Sequence, residues 1–490
     1  MNRTAHYSSV TFAPASALMA RIRAGELRSG DLLEHYLGRI EGHGAAVNAV
    51  VVREFDAARA QADRADRAFA RGEWLGPLHG LPMTIKESFH LRGTPTTFGL
   101  AEFRANVATR NALVVDRLLA AGGVIFGKTN VPPALMDGQS NNEIYGRTNN
   151  PWDLERTPGG SSGGSAAALA AGLTGLELGS DIASSLRNPA HYCGVYGHKP
   201  SYGLCPQDGH MLLETRQSTD IAVVGPMARS AHDLELALSI IAGPAAPAAS
   251  AYRLNLPEPR HNALADFRVA LIVDDPFAAV DGPVQEQLVA LGDFLTQAGA
   301  TVTRDARPSF DSLELYQLFM VLLRAAVASS IPDDEFEREV TRARGASRAT
   351  REMAQLNAYG ATLTHRDWLR LDEERQRVRL EWRNFFERYD LVLCPPLSTA
   401  AFLHSTVPPQ LRSLTVNGHD VPFENQLFWA GYAGVAYLPA TVAPIGLTPE
   451  GLPVGVQIIG PQYGDRTCLR FAQLLEKHYR AFVPPPRFLD

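Results

Sequence analysis

Several features that mark specialised proteins are missing from this sequence. No run of about 18 apolar residues occurs in its 490 residues, so the sequence predicts no membrane-spanning helix. Residues 1–6 lack the apolar segment of a signal peptide, and we therefore expect a cytoplasmic protein. The net charge of -6 leaves no excess of basic residues, which argues against nucleic acid as the main partner.

Cysteine is scarce, and histidine is not clustered. The four cysteines form no CxxC pair, and their wide spacing fits neither a zinc site nor a disulfide framework, so we expect buried thiols at Cys193, Cys205, Cys394 and Cys468. No HExxH or comparable group occurs. The sequence thus predicts no metal site and implies no cofactor.

What is present is the composition and patterning of a large globular protein. Hydrophobic residues make up 45% of the chain and charged residues 20%. From about residue 75, short apolar segments alternate with helical ones, which favours an α/β fold with one mixed, twisted sheet covered by helices on both faces. Strands are predicted over 81–85, 124–126, 268–273 and 301–303, and helices over 111–121, 164–171 and 283–298.

The second half of the chain carries a helical insertion. Residues 311–389 place Trp368, Leu371, Trp382 and Phe385 on one helical face, and Thr364-x-x-Asp367 forms a capping box at its start. Strands return at 391–393, 440–443 and 454–459, a helix closes the chain at 465–479, and the Ala/Pro-rich stretch 243–250 is typical of a surface connector. We predict one domain over 1–490, with a core at about 75–205, this insertion at about 311–389 and a C-terminal sheet and helix region at about 390–485.

Three segments carry the candidate chemistry. The apolar run Gly80-Leu81-Pro82-Met83-Thr84-Ile85 ends at Lys86, and two Ser/Gly-rich stretches follow at 159–165 and 179–189. Together they offer a nucleophile, a base and backbone N–H donors, which are the parts of an acyl-transfer site.

Each segment alone has a simpler interpretation. The first stretch matches G-x-S-x-G, but it follows Arg156-Thr157-Pro158 rather than a strand, and Gly/Ser runs are common in flexible loops. A lysine after a strand is most often solvated or ion-paired. Lys86 acts as a base only when neutral, and its apolar neighbours Pro82, Met83, Ile85 and Phe89 favour the burial that lowers a lysine pKa.

The order and spacing of the three segments resemble the amidase signature family of Ser–cis-Ser–Lys hydrolases. The resemblance is carried by the lysine segment, by 158–165, by Gly179-x-Asp181-x-x-x-Ser185-x-Arg187-x-Pro189 and by 451–457. It implies that Lys86 is the base, Ser185 the nucleophile, and Ser161 the bridging serine that follows a cis Gly160–Ser161 peptide. It also implies oxyanion donors from the backbone N–H groups of Ile182, Ala183, Ser184 and Ser185, with Asp181 and Arg187 as supporting residues.

The chain departs from the family pattern beside the nucleophile. The family usually has two glycines there, and this sequence has Ala183 and Ser184. Because glycine tolerates a positive φ and close backbone approach better than Ala or Ser, the departure predicts either permissive loop angles or a reshaped oxyanion hole. It also leaves Ser184 as a second candidate nucleophile.

The predicted function is hydrolysis of an acyl C–N bond (amide, anilide or carbamate) through a Ser185 acyl-enzyme, with an alkaline activity optimum. Alternatives are a urethanase-like carbamate or ester hydrolase, an inactive binding homologue and a tRNA-dependent amidotransferase A-type subunit. The predicted pocket walls are 205–220, 311–389 and 425–437. Their apolar residues indicate either an apolar or aromatic small-molecule substrate or ordinary core, and by resemblance a homodimer is plausible. These apolar residues are Phe319, Met320, Leu323, Phe428 and Trp429.

Overall fold

The computed structural model describes residues 10–210 and 218–489. Its strands are β1 (Val50–Arg53), β2 (Pro82–Lys86), β3 (Val124–Thr129), β4 (Asn141–Asn142), β5 (Gly146–Arg147), β6 (Glu177–Asp181), β7 (Tyr196–Lys199), β8 (Val223–Ala228), β9 (Arg268–Leu271), β10 (Thr301–Arg304), β11 (Leu391–Cys394), β12 (Ser413–Val416), β13 (His419–Pro422), β14 (Ala440–Leu447) and β15 (Pro453–Ile459).

In the described residues, helices surround these strands. They are α1 (Ala15–Arg23), α2 (Ser29–Val47), α3 (Phe55–Ala70), α4 (Leu113–Ala120), α5 (Gly163–Ala170), α6 (Arg187–Cys193), α7 (Ala231–Ile241), α8 (Gly282–Gln297), α9 (Ser312–Val327), α10 (Asp333–Arg342), α11 (Met353–Ala361), α12 (His365–Arg388), α13 (Leu427–Gly434) and α14 (Asp465–His478).

Eleven strands form one continuous mixed sheet in the order β1-β3-β2-β6-β8-β7-β14-β15-β11-β9-β10. Strands β3, β2 and β6 run parallel to one another, whereas β6, β8, β7, β14 and β15 pair antiparallel. Every residue of β2, β3 and β6 is buried, as expected for parallel strands covered on both faces. The predicted α/β fold with a single mixed sheet is confirmed.

Helices cover both faces of the sheet, as two adjacent residues of β7 show. A Cβ on Gly197 would lie 3.0 Å from the Ala190 side chain of α6, so this position faces α6. The next residue, His198, lies 3.2 Å from Asp465 of α14. Because successive strand residues point to opposite faces, α6 and α14 lie on opposite sides of the sheet.

The predicted elements lie close to the observed ones, with two notable extensions. Strand β3 continues to Thr129 rather than 126, and β14 continues to Leu447 rather than 443. In both cases polar, glycine or proline residues interrupt the apolar pattern, although the pairing continues beyond them. The N-terminal region also contains β1, at the edge of the sheet.

The insertion is helical, as predicted, and consists of α9 to α12. The Thr364 hydroxyl accepts a hydrogen bond from the Asp367 N–H and so caps α12. Within the described residues, one helical stretch, Ser312–Ser330, is long and apolar enough to cross a membrane by composition alone, but half of it is buried in the fold. It packs against α11, α12 and α13, which is the environment of a core helix.

The apolar residues proposed as pocket wall or core are all buried in the main hydrophobic core. These are Phe319, Met320, Leu323, Phe428 and Trp429. The four cysteines are also buried and unpaired, which confirms that part of the prediction. Of the predicted 205–220 wall, residues 211–217 lie outside the described residues.

Candidate active site

Lys86 is the last residue of β2 and is fully buried. Its position at the end of a strand between two parallel neighbours directs the ammonium group toward the two serine stretches. Lys86 Nζ donates to Ser161 Oγ at 2.7 Å and to Ser180 Oγ at 2.9 Å. The structure therefore brings the predicted base and the predicted bridging serine into direct contact.

Burial lowers the pKa of Lys86 to about 7, even though the carboxyl groups of Asp181, Glu177 and Glu87 act in the opposite direction. Glu87 turns away from the lysine and accepts hydrogen bonds from the backbone N–H groups of Thr97 and Phe98. A substantial neutral fraction of Lys86 near neutral pH follows from this environment. A neutral amine beside a serine hydroxyl can accept its proton.

Ser161 lies in the turn that leads into α5, and the Gly160–Ser161 peptide is cis, as the family resemblance implies. Gly160 packs tightly against the segment 137–139. A Cβ on Gly160 would lie 2.2 Å from the Asp137 carbonyl oxygen and 2.8 Å from the Gln139 nitrogen, so only glycine fits at this position.

Ser185 lies in the loop between β6 and α6, beside the first serine stretch. The Ser162 N–H donates to the Ser185 carbonyl oxygen at 3.1 Å, which fixes the two stretches against each other. Ser185 retains 7% exposure, whereas Ser161 and Ser184 retain 1% each. Of the three serines, Ser185 is the one most open to a small molecule.

Asp181 holds the loop that contains Ser185. Its carboxylate accepts the backbone N–H groups of Ser184 and Leu186 at 2.9 and 3.0 Å and forms a fully buried, two-oxygen ion pair with Arg187. Burial opposes ionisation of Asp181, but the Arg187 guanidinium outweighs it and lowers the pKa to about 2. Arg187 is itself fixed by the Ala430 carbonyl and the Gln457 side chain.

This arrangement changes the predicted set of oxyanion donors. The Ser184 N–H is already donated to Asp181, so Ser184 drops out of that set. Within the part of the chain that the structure describes, the N–H groups of Ile182, Ala183 and Ser185 have no protein acceptor. Three donors in one short loop suit the developing negative charge of a tetrahedral intermediate.

Ser184, one of the two residues that replace the usual glycines, has φ of 82°. This is the left-handed region in which glycine is favoured, so the departure seen in the sequence falls on a position with a real conformational demand. Ala183 does not share the positive φ. The Ser184 hydroxyl is buried without a hydrogen-bond partner among the described residues, and hence no base activates it there.

Sequence reasoning missed two polar residues close to Lys86. Ser180 belongs to the quoted Gly179–Pro189 stretch, but nothing in the spacing indicated its contact with Lys86. Glu177 lies on β6 next to β2. Its proximity to Lys86 depends on the parallel pairing of Thr84 with Glu177, which the sequence alone does not reveal. Among the described residues, no group of three or more His, Cys, Asp or Glu side chains is placed to hold a metal ion.

Comparison with known proteins gives one consistent family. The family model described as Amidase matches residues 31–469. The chain is 34% identical to an acylamidase of Rhodococcus erythropolis, over 94% of both chains. It is also 32% identical to a glutamyl-tRNA(Gln) amidotransferase subunit of Synechococcus sp. (strain CC9605), over 96% of this chain and 97% of that one.

Among solved structures, the chain is similar to the inhibitor-bound form of a vestigial protein complex connected with the origins of an s-triazine catabolic enzyme. The TM-score is 0.81 at 27% sequence identity, and the match covers 96% of this chain and 100% of that chain.

Proposed function

We propose that this chain, which belongs to the amidase (amidase signature) family, hydrolyses the acyl C–N bond of a small neutral amide, anilide or carbamate. The observation that carries the proposal is the 2.7 Å contact between buried Lys86 and Ser161, next to the more exposed Ser185. Burial lowers the pKa of Lys86 to about 7, and its partners are serine hydroxyls, so a neutral Lys86 can accept a proton from Ser161.

In the proposed reaction, Ser185 Oγ attacks the substrate carbonyl and passes its proton to Ser161, while Ser161 passes its own proton to neutral Lys86. The N–H groups of Ile182, Ala183 and Ser185 stabilise the oxyanion. The relay then runs in reverse and protonates the leaving nitrogen, which is needed because an amide anion is a poor leaving group. Water hydrolyses the Ser185 ester by the same relay and restores the free enzyme.

The charges around the site support a neutral substrate. In the described residues, four acidic side chains of the loop and of other segments pair with arginines of the same chain. These pairs are Asp181 with Arg187, Asp137 with Arg412, Asp220 with Arg375 and Glu424 with Arg324. A zwitterionic amino acid such as glutamine would need free charges of both signs for its ammonium and carboxylate groups.

The second candidate is an amidotransferase A-type subunit, which the similarity to the Synechococcus protein favours. A carbamate or ester hydrolase with the same three residues is a third possibility, because the proposed relay does not depend on the leaving atom. The tests are substrate hydrolysis by the purified chain alone and glutamine hydrolysis with and without added partner subunits. Hydrolysis of anilides or carbamates without a partner supports the amidohydrolase, and activity restricted to glutamine with a partner overturns it.

The nucleophile is tested by exposing the protein to a broad fluorophosphonate and measuring the intact mass. We expect one adduct in the wild type and in Ser184→Ala, and none in Ser185→Ala. Ser184→Ala is the matched control, because Ser184 is adjacent, equally small and buried without a hydrogen-bond partner among the described residues. An adduct that disappears only in Ser184→Ala would reassign the nucleophile, and no adduct in any variant would favour the inactive binding homologue.

A further inference from the structure

A buried carboxyl group lies beside Lys86 on the same face of the sheet. In the parallel pairing of β2 with β6, Thr84 is the partner of Glu177, and Thr84 and Lys86 point to the same face because they are two residues apart. Glu177 is therefore the diagonal neighbour of Lys86 across the β2–β6 pair, and its carboxyl group acts on the charge of Lys86.

Glu177 is 1% exposed and poorly solvated. One carboxyl oxygen accepts a hydrogen bond from the Thr84 hydroxyl, and the other has no hydrogen-bond partner among the described residues. Such a carboxylate is costly to ionise without a nearby cation. Burial raises the pKa of Glu177 to about 8, although the nearby hydroxyls of Thr84, Ser165 and Thr129 act in the opposite direction.

The other groups around this pair are neutral or already engaged. From α5 and β3, Ser165 and Thr129 contribute hydroxyls that bond to each other at 2.9 Å. The remaining charged or titratable groups each have partners of their own. Of the acids, Asp181 pairs with Arg187, and Glu87 accepts hydrogen bonds from the backbone N–H groups of Thr97 and Phe98. Of the bases, Lys128 donates to Thr96, and Arg229 donates to the carbonyls of Leu169 and Thr174. The His210 ring contacts the Ser88 hydroxyl at 3.0 Å.

We propose that Glu177 is a positioning residue whose charge acts on Lys86 and so sets the pH at which this lysine becomes a base. The inference rests on the proposed function, since it concerns the same lysine. Ionised Glu177 favours protonated Lys86, and protonated Glu177 favours neutral Lys86. The two groups then titrate as a pair, in two overlapping steps rather than one.

The experiment measures the rate of fluorophosphonate labelling of Ser185 against pH by intact mass, which needs no knowledge of the substrate. In the wild type, the rate rises in two overlapping steps around neutral pH. Glu177→Gln removes the charge and keeps the shape, so the rise becomes a single step at a pH lower by about 0.5–1. Thr84→Val keeps the carboxyl but removes its hydroxyl donor, and it moves the rise in the same direction by a smaller amount.

Asp233→Asn is the matched control. Asp233 is also a buried acid, in α7, and its carboxylate accepts the backbone N–H groups of Ala15 and Ser16. We expect this substitution to lower thermal stability and to leave the pH profile of labelling unchanged. A purely structural Glu177 would behave in the same way.

The inference is overturned if Glu177→Gln and Thr84→Val both fold and the pH at which their labelling rate rises is unchanged or higher than in the wild type. The proposed function then still stands, because Ser185 is still labelled. Absence of labelling in the wild type at every pH overturns the proposed function and this inference with it. A downward shift in Glu177→Gln and Thr84→Val, with Asp233→Asn unmoved, supports it.

Discussion

At the scale of single residues, the proposed chemistry depends on the protonation of Lys86. Two lysines on neighbouring strands illustrate the point, because burial lowers the pKa of Lys86 to about 7 and that of Lys128 to about 8. Lys128 donates to Thr96 and to the Pro95 carbonyl, whereas Lys86 donates to two serine hydroxyls. Only Lys86 is placed to exchange a proton with a serine of the site.

Activity is therefore expected to fall as the pH drops through about 7, because Lys86 is protonated below that value and cannot act as a base. Lys86→Met is expected to lower kcat by about 10²–10⁴-fold, the usual contribution of a general base. The measurement is kcat/KM against pH for the wild type, and kcat for the variant, with any anilide or carbamate that the wild type turns over.

Lys128→Met is the control for the effect of losing a buried lysine. It is expected to destabilise the protein, because the Pro95 and Thr96 oxygens lose their hydrogen-bond donor. The pH at which activity falls on the acid side is expected to stay the same as in the wild type. A pH profile that shifts equally in both variants would remove the special role given to Lys86.

The three predicted catalytic residues could be chosen from sequence because each lies in a segment of recognisable composition and order. The partners of Asp181 could not, since its bonds to the Ser184 and Leu186 N–H groups depend on how the loop turns back on itself. The same turn placed φ of Ser184 at 82° and removed its N–H from the predicted donors. Local composition does not determine such orientations.

At the scale of elements, the loop between β6 and α6 is held by the buried ion pair of Asp181 and Arg187. The Arg187 guanidinium also contacts α13 through the Ala430 carbonyl and β15 through Gln457. One side chain thus connects the loop that contains Ser185 to two elements from the C-terminal half of the chain.

Arg187→Met is expected to cost about 3–5 kcal/mol of unfolding free energy, because it leaves the Asp181 carboxylate buried without its cation. The sign of the pH dependence follows from the pKa of Asp181, which folding lowers to about 2. The stability it contributes is present above the ordinary carboxyl pKa of about 4 and is lost as the pH falls toward 2. Denaturant unfolding at pH 7 and pH 3 checks both statements, and in the variant the difference between the two pH values is expected to shrink.

Helix α5 is packed so closely against the end of β3 that its second residue must be glycine. A Cβ on Gly164 would lie 2.3 Å from the Asn130 nitrogen, which is backbone and has little room to move. Gly164→Ala is expected to destabilise the protein by about 1–3 kcal/mol through overpacking and to lower activity, since α5 follows Ser161 directly.

Gly38→Ala in α2 is the matched substitution, because no atom lies within 4 Å of its added Cβ. This exposed helix position is expected to gain about 0.5–1 kcal/mol, as alanine replaces glycine in a helix interior. Thermal or denaturant unfolding of the two variants separates crowding at Gly164 from the ordinary effect of a glycine-to-alanine change. Equal effects at both positions would contradict the packing argument.

At the scale of the whole molecule, the sequence indicated the class of the fold but not the order of its strands. Periodicity located β2, β3, β9, β11 and β15 because each is a short apolar run. It could not show that β7, near residue 197, pairs with β14, near residue 441, since that pairing joins segments separated by about half of the chain. Strand order depends on such long-range contacts rather than on local composition.

This strand order predicts that the core region 75–205 does not fold alone. Cut out of the chain, β3 loses β1, β6 loses β8, and β7 loses both β8 and β14. The three strands left together, β3, β2 and β6, are buried along their whole length in the full chain and would expose apolar surface and two unpaired edges. We expect the fragment to show no cooperative thermal transition by far-UV circular dichroism, whereas the full chain shows a sharp one. A cooperative transition in the fragment would mean that the region 75–205 is an independent domain. The contacts of Arg187 with α13 and β15 would then be additions to the candidate site rather than conditions for it.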